Sequence, residues 1–308
     1  MDPYAGLLEA AVRIAVPILL AVLGEIVAER AGVLNLGLEG MMLSGAFAAW
    51  AVASAAGSAG PGVAAGILAG AALAALFAGL VVRLAFEPVV SGIALNILAA
   101  GVTGVLFRAM DTGTTGFAPT LPAWSVPVAS AIPAIGPAFF AQNALGYAAF
   151  ALVPACAAFL GRTRPGLVLR ATGENPEAVE TAGSSVLRVR VLAALFGGAC
   201  AGAAGAYLSV GYSDTFVEGM TAGRGFVALA IVVFARWRPW GGAGGALLFG
   251  LAMALQVRLQ GRAAGGVEIP YQFFQALPYA LTLVVLARLR SGRAGAPAAL
   301  ARPWRRER

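Results

Sequence analysis

TGENPEAVETAGSSVLRVR, residues Thr172 to Arg190, is the one long polar stretch with structural signals lying between apolar runs, and the rest of the chain is organised around it. Asn175 can cap a helix, and Pro176 suits its first turn. Glu177 and Glu180 favour the positive N-terminal end, and Gly183 can terminate the helix. These signals predict a two-turn helix outside the bilayer. So short a helix is marginal in water, so neighbouring spans or a partner must hold it. Docking is the first reading; a solvated helix start, stabilised by the dipole at Glu177 and Glu180, is the competing one.

Upstream, an apolar run from Ala144 to Leu160 ends in GRTRPG, and Arg162, Arg164 and Arg170 place that end in the cytoplasm by the positive-inside bias. Residues Asp111 to Asn143 are rich in Pro and Gly, contain Trp124 and read as an external loop with interfacial or re-entrant pieces. Earlier runs cover Pro88 to Met110, Pro61 to about Leu84, Val33 to Ala56 and Leu7 to Ala28. The first lacks a basic n-region and reads as a retained span. The second begins VLNLGLEGMMLSGA, with Asn35, Gly37, Glu39 and Gly40 inside the hydrophobic zone, which predicts a broken or re-entrant start.

Downstream, Arg188 and Arg190 introduce a run from Val191 to Tyr212, and YSDTFVEGMTAG forms the following turn. GRGFVALAIVVFARW is short against the roughly 20 helical residues a hydrocarbon core requires, so it reads as a half-helix. Gly223 and Gly225 there permit a helix break. Runs from Gly241 to Val257 and Pro270 to Ala287 follow, and residues 288–308 form a basic tail. Gly66 with Gly70, and Gly198 with Gly202, offer close-packing faces. The fold class is all-α: a polytopic bundle of about 8–10 spans with broken or re-entrant helices, in one domain, residues 1–308.

Composition narrows the chemistry. The hydrophobic share is 60% and the charged share 11%, far from soluble averages of about 25% charged. All 21 basic residues are Arg, and there is no His. Without Lys there is no Walker A phosphate loop or Schiff base; without His there is no Ser-His triad. No catalytic residue, cofactor site or metal site is assigned. Cys156 and Cys200 lie in apolar runs and read as small buried hydrophobes. The net charge of +7 sits at span ends and in the tail, which suits topology and anionic membrane lipid and gives no case for nucleic acid.

With the tail inside, residues 162–190 fall inside, residues 111–143 outside and the N-terminus outside. Arg108, Arg224, Arg258 and Arg262 then fall on the outer side, an expense that interfacial snorkelling would reduce. Transport is the default activity of such a bundle, with a secondary transporter, a channel or a scaffold as rivals. Ion coupling calls for buried acids on several spans, whereas Glu25 and Glu39 are the main candidates. Asn35, Glu39, Ser91, Asn96 and Phe226 are the candidate translocation path. For Asn35 and Glu39 the competing role is pinning a helix break, for Ser91 and Asn96 interhelical bonding, and for Phe226 and Trp237 lipid or packing contact.

The order Glu177, Ala178, Val179, three residues, Gly183 resembles the EAA-xxx-G loop of ABC importer permeases. ERAGVLNLGLEGMMLSGA at 29 to 46, TGENPEAVETAG and GRGFVALAIVVFARWRP at 223 to 239 look, together, like the ribose-type permease superfamily and its nucleoside branch. Val179 departs from the Ala of many members, and the distal I-x-L-P is missing. The resemblance covers residues 7 to about 290. It implies that Asn175, Pro176, Glu177, Ala178, Val179, Glu180 and Gly183 form an ATPase-coupling helix. It also implies separate ATPase subunits that bind ATP and Mg, a second permease in a heterodimer of which this chain resembles the shorter member, and an extracytoplasmic substrate-binding protein. The implied setting is a bacterial inner membrane with the C-terminus cytoplasmic. Nucleosides are the implied cargo, with pentoses or other simple sugars next and branched-chain amino acids after them.

Overall fold

A computed structural model describes residues 3–110, 117–127, 130, 132, 135–259, 263–264, 267–268 and 295–304. Eleven α-helices are described: α1 Pro3–Arg30, α2 Leu38–Ala56, α3 Ala59–Ala78, α4 Pro88–Met110, α5 Ile135–Phe140, α6 Ala144–Arg162, α7 Arg164–Glu174, α8 Pro176–Thr181, α9 Val186–Ala206, α10 Arg224–Phe234 and α11 Pro239–Leu259. Wide π turns extend α3 through Gly79–Arg83 and α9 through Tyr207–Tyr212. Among the described residues, seven helices are long and apolar enough to cross a membrane, and α10 is a shorter apolar one. The run from Pro270 to Ala287 lies outside the described residues.

Helices α1 and α9 are the axis of the bundle, with 83% and 72% of their apolar windows buried, whereas α3, α4, α6 and α11 are covered over only about a third. The outer helices therefore turn large apolar side chains such as Leu68, Ile97 and Val105 outward, the expected arrangement against lipid or another subunit. Helices α2, α3 and α9 cross closely, since no hydrophobic effect drives helices together in lipid and backbone proximity must do the work. The two glycine pairs read from the sequence meet each other here. A Cβ on Gly70 would fall 2.6 Å from the Gly202 Cα, and one on Gly45 would fall 2.6 Å from the same atom.

The described part of the chain between α4 and α6 holds more regular structure than a loop reading predicts. Strand β1, Ala123–Ser125, pairs antiparallel with β2, Ala141–Asn143, and α5 packs against α1. A second two-stranded pair, β3 Ala263–Ala264 with β4 Val267–Glu268, follows α11. These few strand residues leave the bundle all-helical in character.

Contacts sort the connections into two ends. Asp214 accepts from the Ala118 amide, Gly211 from Asn143 Nδ2, and Arg108 pairs with Glu218, which gathers the end of α4, the β1–β2 region and the turn after α9. At the other end, Arg30 donates to the carbonyls of Arg236 and Trp237, and Ala299 N–H donates to Gly173, which gathers the ends of α1, α7 and α10 with the tail. Two of the four outer arginines, Arg108 and Arg224, bond to the protein where snorkelling was expected, and Arg262 lies outside the described residues. Arg108 makes two 2.9 Å bonds to Glu218, and Arg224 Nη1 caps the carbonyls of Met220 and Thr221. The pair holds the Glu218 carboxyl below its ordinary range.

Candidate functional site

Helix α8 forms as its local sequence dictates. The Asn175 side chain accepts the Ala178 amide at 3.1 Å, and Pro176 occupies the first turn. At the other end Gly183 adopts φ +84, its amide donates to Glu180 and the Ser184 amide donates to Val179. That is a Schellman stop, which needs the left-handed residue that glycine supplies without strain. The helix proper is six residues long, Pro176–Thr181, slightly shorter than two full turns. Its two faces differ. Val179 is buried and Glu180 Oε2 accepts the Val186 amide at 3.2 Å, so this face anchors to the start of α9. Asn175, Glu177, Ala178, Thr181 and Gly183 are exposed, presenting an outward surface.

Two parts of the polar stretch depart from the sequence reading. Thr172 and Gly173 are buried, because they close α7, a helix that the reading did not separate from the basic cluster. Gly173 lies against the Arg30 carbonyl, where a Cβ has no room. The last full helix of this region starts at Val186, not Val191, and Arg190 is buried within it. Arg190 donates to the Arg302 carbonyl at 2.8 Å and the Ala299 carbonyl at 3.4 Å. Ala301 N–H reaches Gly32, and Ala298 N–H reaches Glu174. The described part of the tail is thus folded onto the body, tying the α1–α2 connection to the residues just ahead of α8.

The second cluster lies where α1 breaks into α2. Asn35 is fully buried; its Oδ1 accepts the Gly37 amide, and its backbone N–H donates to Glu25 Oε1 at 2.9 Å. Asn96 on α4 bridges the same break, accepting from Gly40 at 2.8 Å and donating to the Leu36 carbonyl at 2.8 Å. Glu39 reaches across to α10, accepting the Gly223 amide at 2.8 Å and the Gly225 amide at 2.7 Å. A carboxylate therefore caps the positive end of the half-helix in place of a local residue. Three polar side chains thus satisfy two interrupted backbones, which is what permits irregular chain at membrane depth. Ser91 bonds within α4, to the Glu87 carbonyl, and Phe226 is about half exposed, at 48%, on α10.

Sequence reasoning passed over several neighbours. Glu29, one turn beyond Glu25 on α1, is buried and accepts Trp237 Nε1 at 2.5 Å; the i, i+4 spacing of the two acids was the available signal. Phe47, Trp50, Phe107 and Phe216 form an aromatic cluster with centroid separations of 5.2 to 6.2 Å, and no periodic pattern announces it. Among the described residues no group of three metal-ligating side chains occurs.

Among the described residues, a bundle with seven helices long and apolar enough to cross a membrane and two interrupted helices pinned at one junction has the build of a polytopic membrane protein. The chain belongs to the family described as branched-chain amino acid transport system / permease component, whose profile matches residues 7–286. It is 41% identical over 331 residues to a putative glucose ABC transporter permease protein of Haloferax volcanii, covering 100% of this chain and 99% of that one. It is 36% identical to a nucleoside ABC transporter permease protein of Lactococcus lactis, over 92% and 91% of the two chains. It is also 31% identical to a guanosine ABC transporter permease protein of Bacillus subtilis, over 94% and 93%. The chain is a permease subunit of the ABC transporter class, a transport component rather than an enzyme, and the family implies association with ATPase and substrate-binding partners.

Proposed function

We propose that this chain is one translocating subunit of an ATP-driven nucleoside importer of the cytoplasmic membrane, with α8 as the docking element for a separate ATPase. The observation that carries the proposal is the division of α8 into an anchored face, Val179 and Glu180, and an exposed face, Glu177, Ala178 and Gly183. ATP and Mg are bound by the partner, since this chain has no Lys for a phosphate loop. Force applied to α8 passes directly into α7 and the start of α9. Gly173 delivers it to the end of α1, and the tail carries it to Gly32 and so towards the pinned break at Asn35. Tilting α1 and α9 about that junction would exchange inward-open and outward-open states.

A second permease, forming a heterodimer, would cover the outward apolar faces, and a binding protein outside would deliver cargo. Residues 298–301 bond to Glu174, Gly173 and Gly32 near the start of α8, and this reading puts the tail with α8 on the cytoplasmic side. Asn35, Glu39, Ser91, Asn96 and Phe226 border the path, the first two and Asn96 shaping it through backbone and Phe226 offering a ring face to a base. Nucleoside cargo is supported by two relatives named for nucleosides. Simple sugar is the second reading, favoured by the 41% identity to a putative glucose permease. Uptake of labelled guanosine and of labelled glucose in cells carrying the assembled importer separates them. Guanosine uptake competed by other nucleosides but not by glucose is expected; the reverse pattern overturns the nucleoside assignment.

A further inference from the structure

We infer that the cavity beneath the α10–α11 turn is a binding site for one anionic phospholipid. The turn is built at some expense: Arg236 and Trp237 both sit at left-handed φ, 53 and 55, although neither is glycine. Arg30 fastens it through the carbonyls of both residues, and Glu29 holds the Trp237 indole. So held, Arg236 and Arg238 stand exposed at the mouth of a cavity of about 740 Å³, which Arg30 and Arg170 also line. Four arginines therefore line one concavity.

Their charge is poorly answered by the protein. Among the described residues no carboxylate forms an ion pair with Arg170, Arg236 or Arg238, and Glu174 is the acid that acts on Arg30. Arg170 Nε is buried with no hydrogen-bond acceptor among the described residues. An unanswered buried donor beside three further cations calls for an anion with several acceptor oxygens, and a phosphodiester supplies them.

The remaining wall identifies the anion's carrier. Leu160 at the end of α6, Phe234 at the end of α10 and Trp240 at the start of α11 line the same cavity, and Trp240 is 65% exposed. A basic pocket between span ends, with an interfacial Trp at its lip, matches a headgroup above and acyl chains below. A free phosphate would engage the arginines and leave that apolar wall in water. The site rests on membrane residence alone and stands whatever the cargo proves to be.

The test uses the purified full chain in phosphatidylcholine nanodiscs doped with phosphatidylglycerol, with bound lipid measured after extraction and by native mass spectrometry. The parent should retain phosphatidylglycerol over phosphatidylcholine. The pair Arg236→Gln and Arg238→Gln, whose side chains form no ion pair among the described residues, should weaken retention by about thirtyfold, the combined effect of two interfacial arginines. The single Arg238→Gln should weaken it by about fivefold, and Arg83→Gln, an equal charge change elsewhere on the same side, should change nothing. Retention unaffected by the pair, or lowered equally by Arg83→Gln, overturns the site. So does full displacement of the lipid by millimolar inorganic phosphate, which would assign a soluble anion. Loss of a co-purifying ATPase with lipid retention intact would assign the arginines to that subunit instead and equally overturn it.

Discussion

Replacing Glu39 by Gln tests whether its carboxylate is a structural cap or a cargo contact. The two oxygens accept the Gly223 and Gly225 amides at 2.8 and 2.7 Å, the first-turn donors of α10, and no residue of α10 itself caps them through a side chain. Glutamine keeps one acceptor oxygen and turns an NH2 group towards the second amide. The loss is then one charge-assisted bond, about 1.5–3 kcal/mol, and the stranded amide adds to it. Polar interactions measured between membrane helices run smaller, averaging roughly 0.6 kcal/mol, so a net loss of about 2 kcal/mol is expected. At roughly 2–4 °C per kcal/mol for a large domain, the apparent Tm in detergent should fall by about 4–8 °C. Hydrogen exchange should rise at residues 223–227 and not in α1 or α9. A variant that melts within roughly 1 °C of the parent, exchanges normally and yet has lost transport would refute the capping role and make Glu39 a cargo contact.

Gly202→Val drives its side chain into the backbones of Gly66 and Gly70, where no flexible side chain can yield. Overpacking of that kind costs about 1–3 kcal/mol or more, and monodisperse recovery in size-exclusion chromatography should collapse. Gly183→Val meets no neighbour within 4 Å but must hold φ +84, at about 1–2 kcal/mol; ATPase co-purification should fall while the Tm of the bundle is kept. Arg190→Ala removes the donors to Ala299 and Arg302, and limited proteolysis between residues 295 and 302 should accelerate while spans stay resistant. Glu218, whose pKa is lowered by Arg108, contributes stability above the ordinary carboxylate range that is lost as pH falls through its lowered value. Arg108→Gln should shrink that acid-side change in unfolding measured against pH.

The membrane bundle, the short helix and both broken segments were legible because each depends on local chemistry. Asn175, Pro176 and Gly183 are cap, first-turn and stop residues wherever they occur, and a run as short as residues 224–234 cannot span on its own. What the polar residues touch was not legible, because partners more than 50 residues away leave no trace in local sequence. Asn96 binding Leu36 and Gly40, and Glu39 binding Gly223 and Gly225, are of this kind. The same limit hid α7: RPGLVLRATGE has a helical stripe, but the Arg cluster drew attention to topology, and only Arg30 explains why Gly173 must be small. The tail likewise read only as a basic segment, whereas Arg190 and Gly32 hold the backbone of its described part.

The coupling role of α8 is tested most directly by cross-linking from Ala178→Cys in the assembled importer, Cys156 and Cys200 being buried and out of reach of the reagent. A short bifunctional reagent should join position 178 to the ATPase subunit, with a yield that changes when ATP is added, and Glu177→Arg in the same chain should abolish both the product and ATP-dependent uptake. A product formed from Arg83→Cys but not from Ala178→Cys, with uptake surviving Glu177→Arg, would place the docking surface elsewhere and contradict the account.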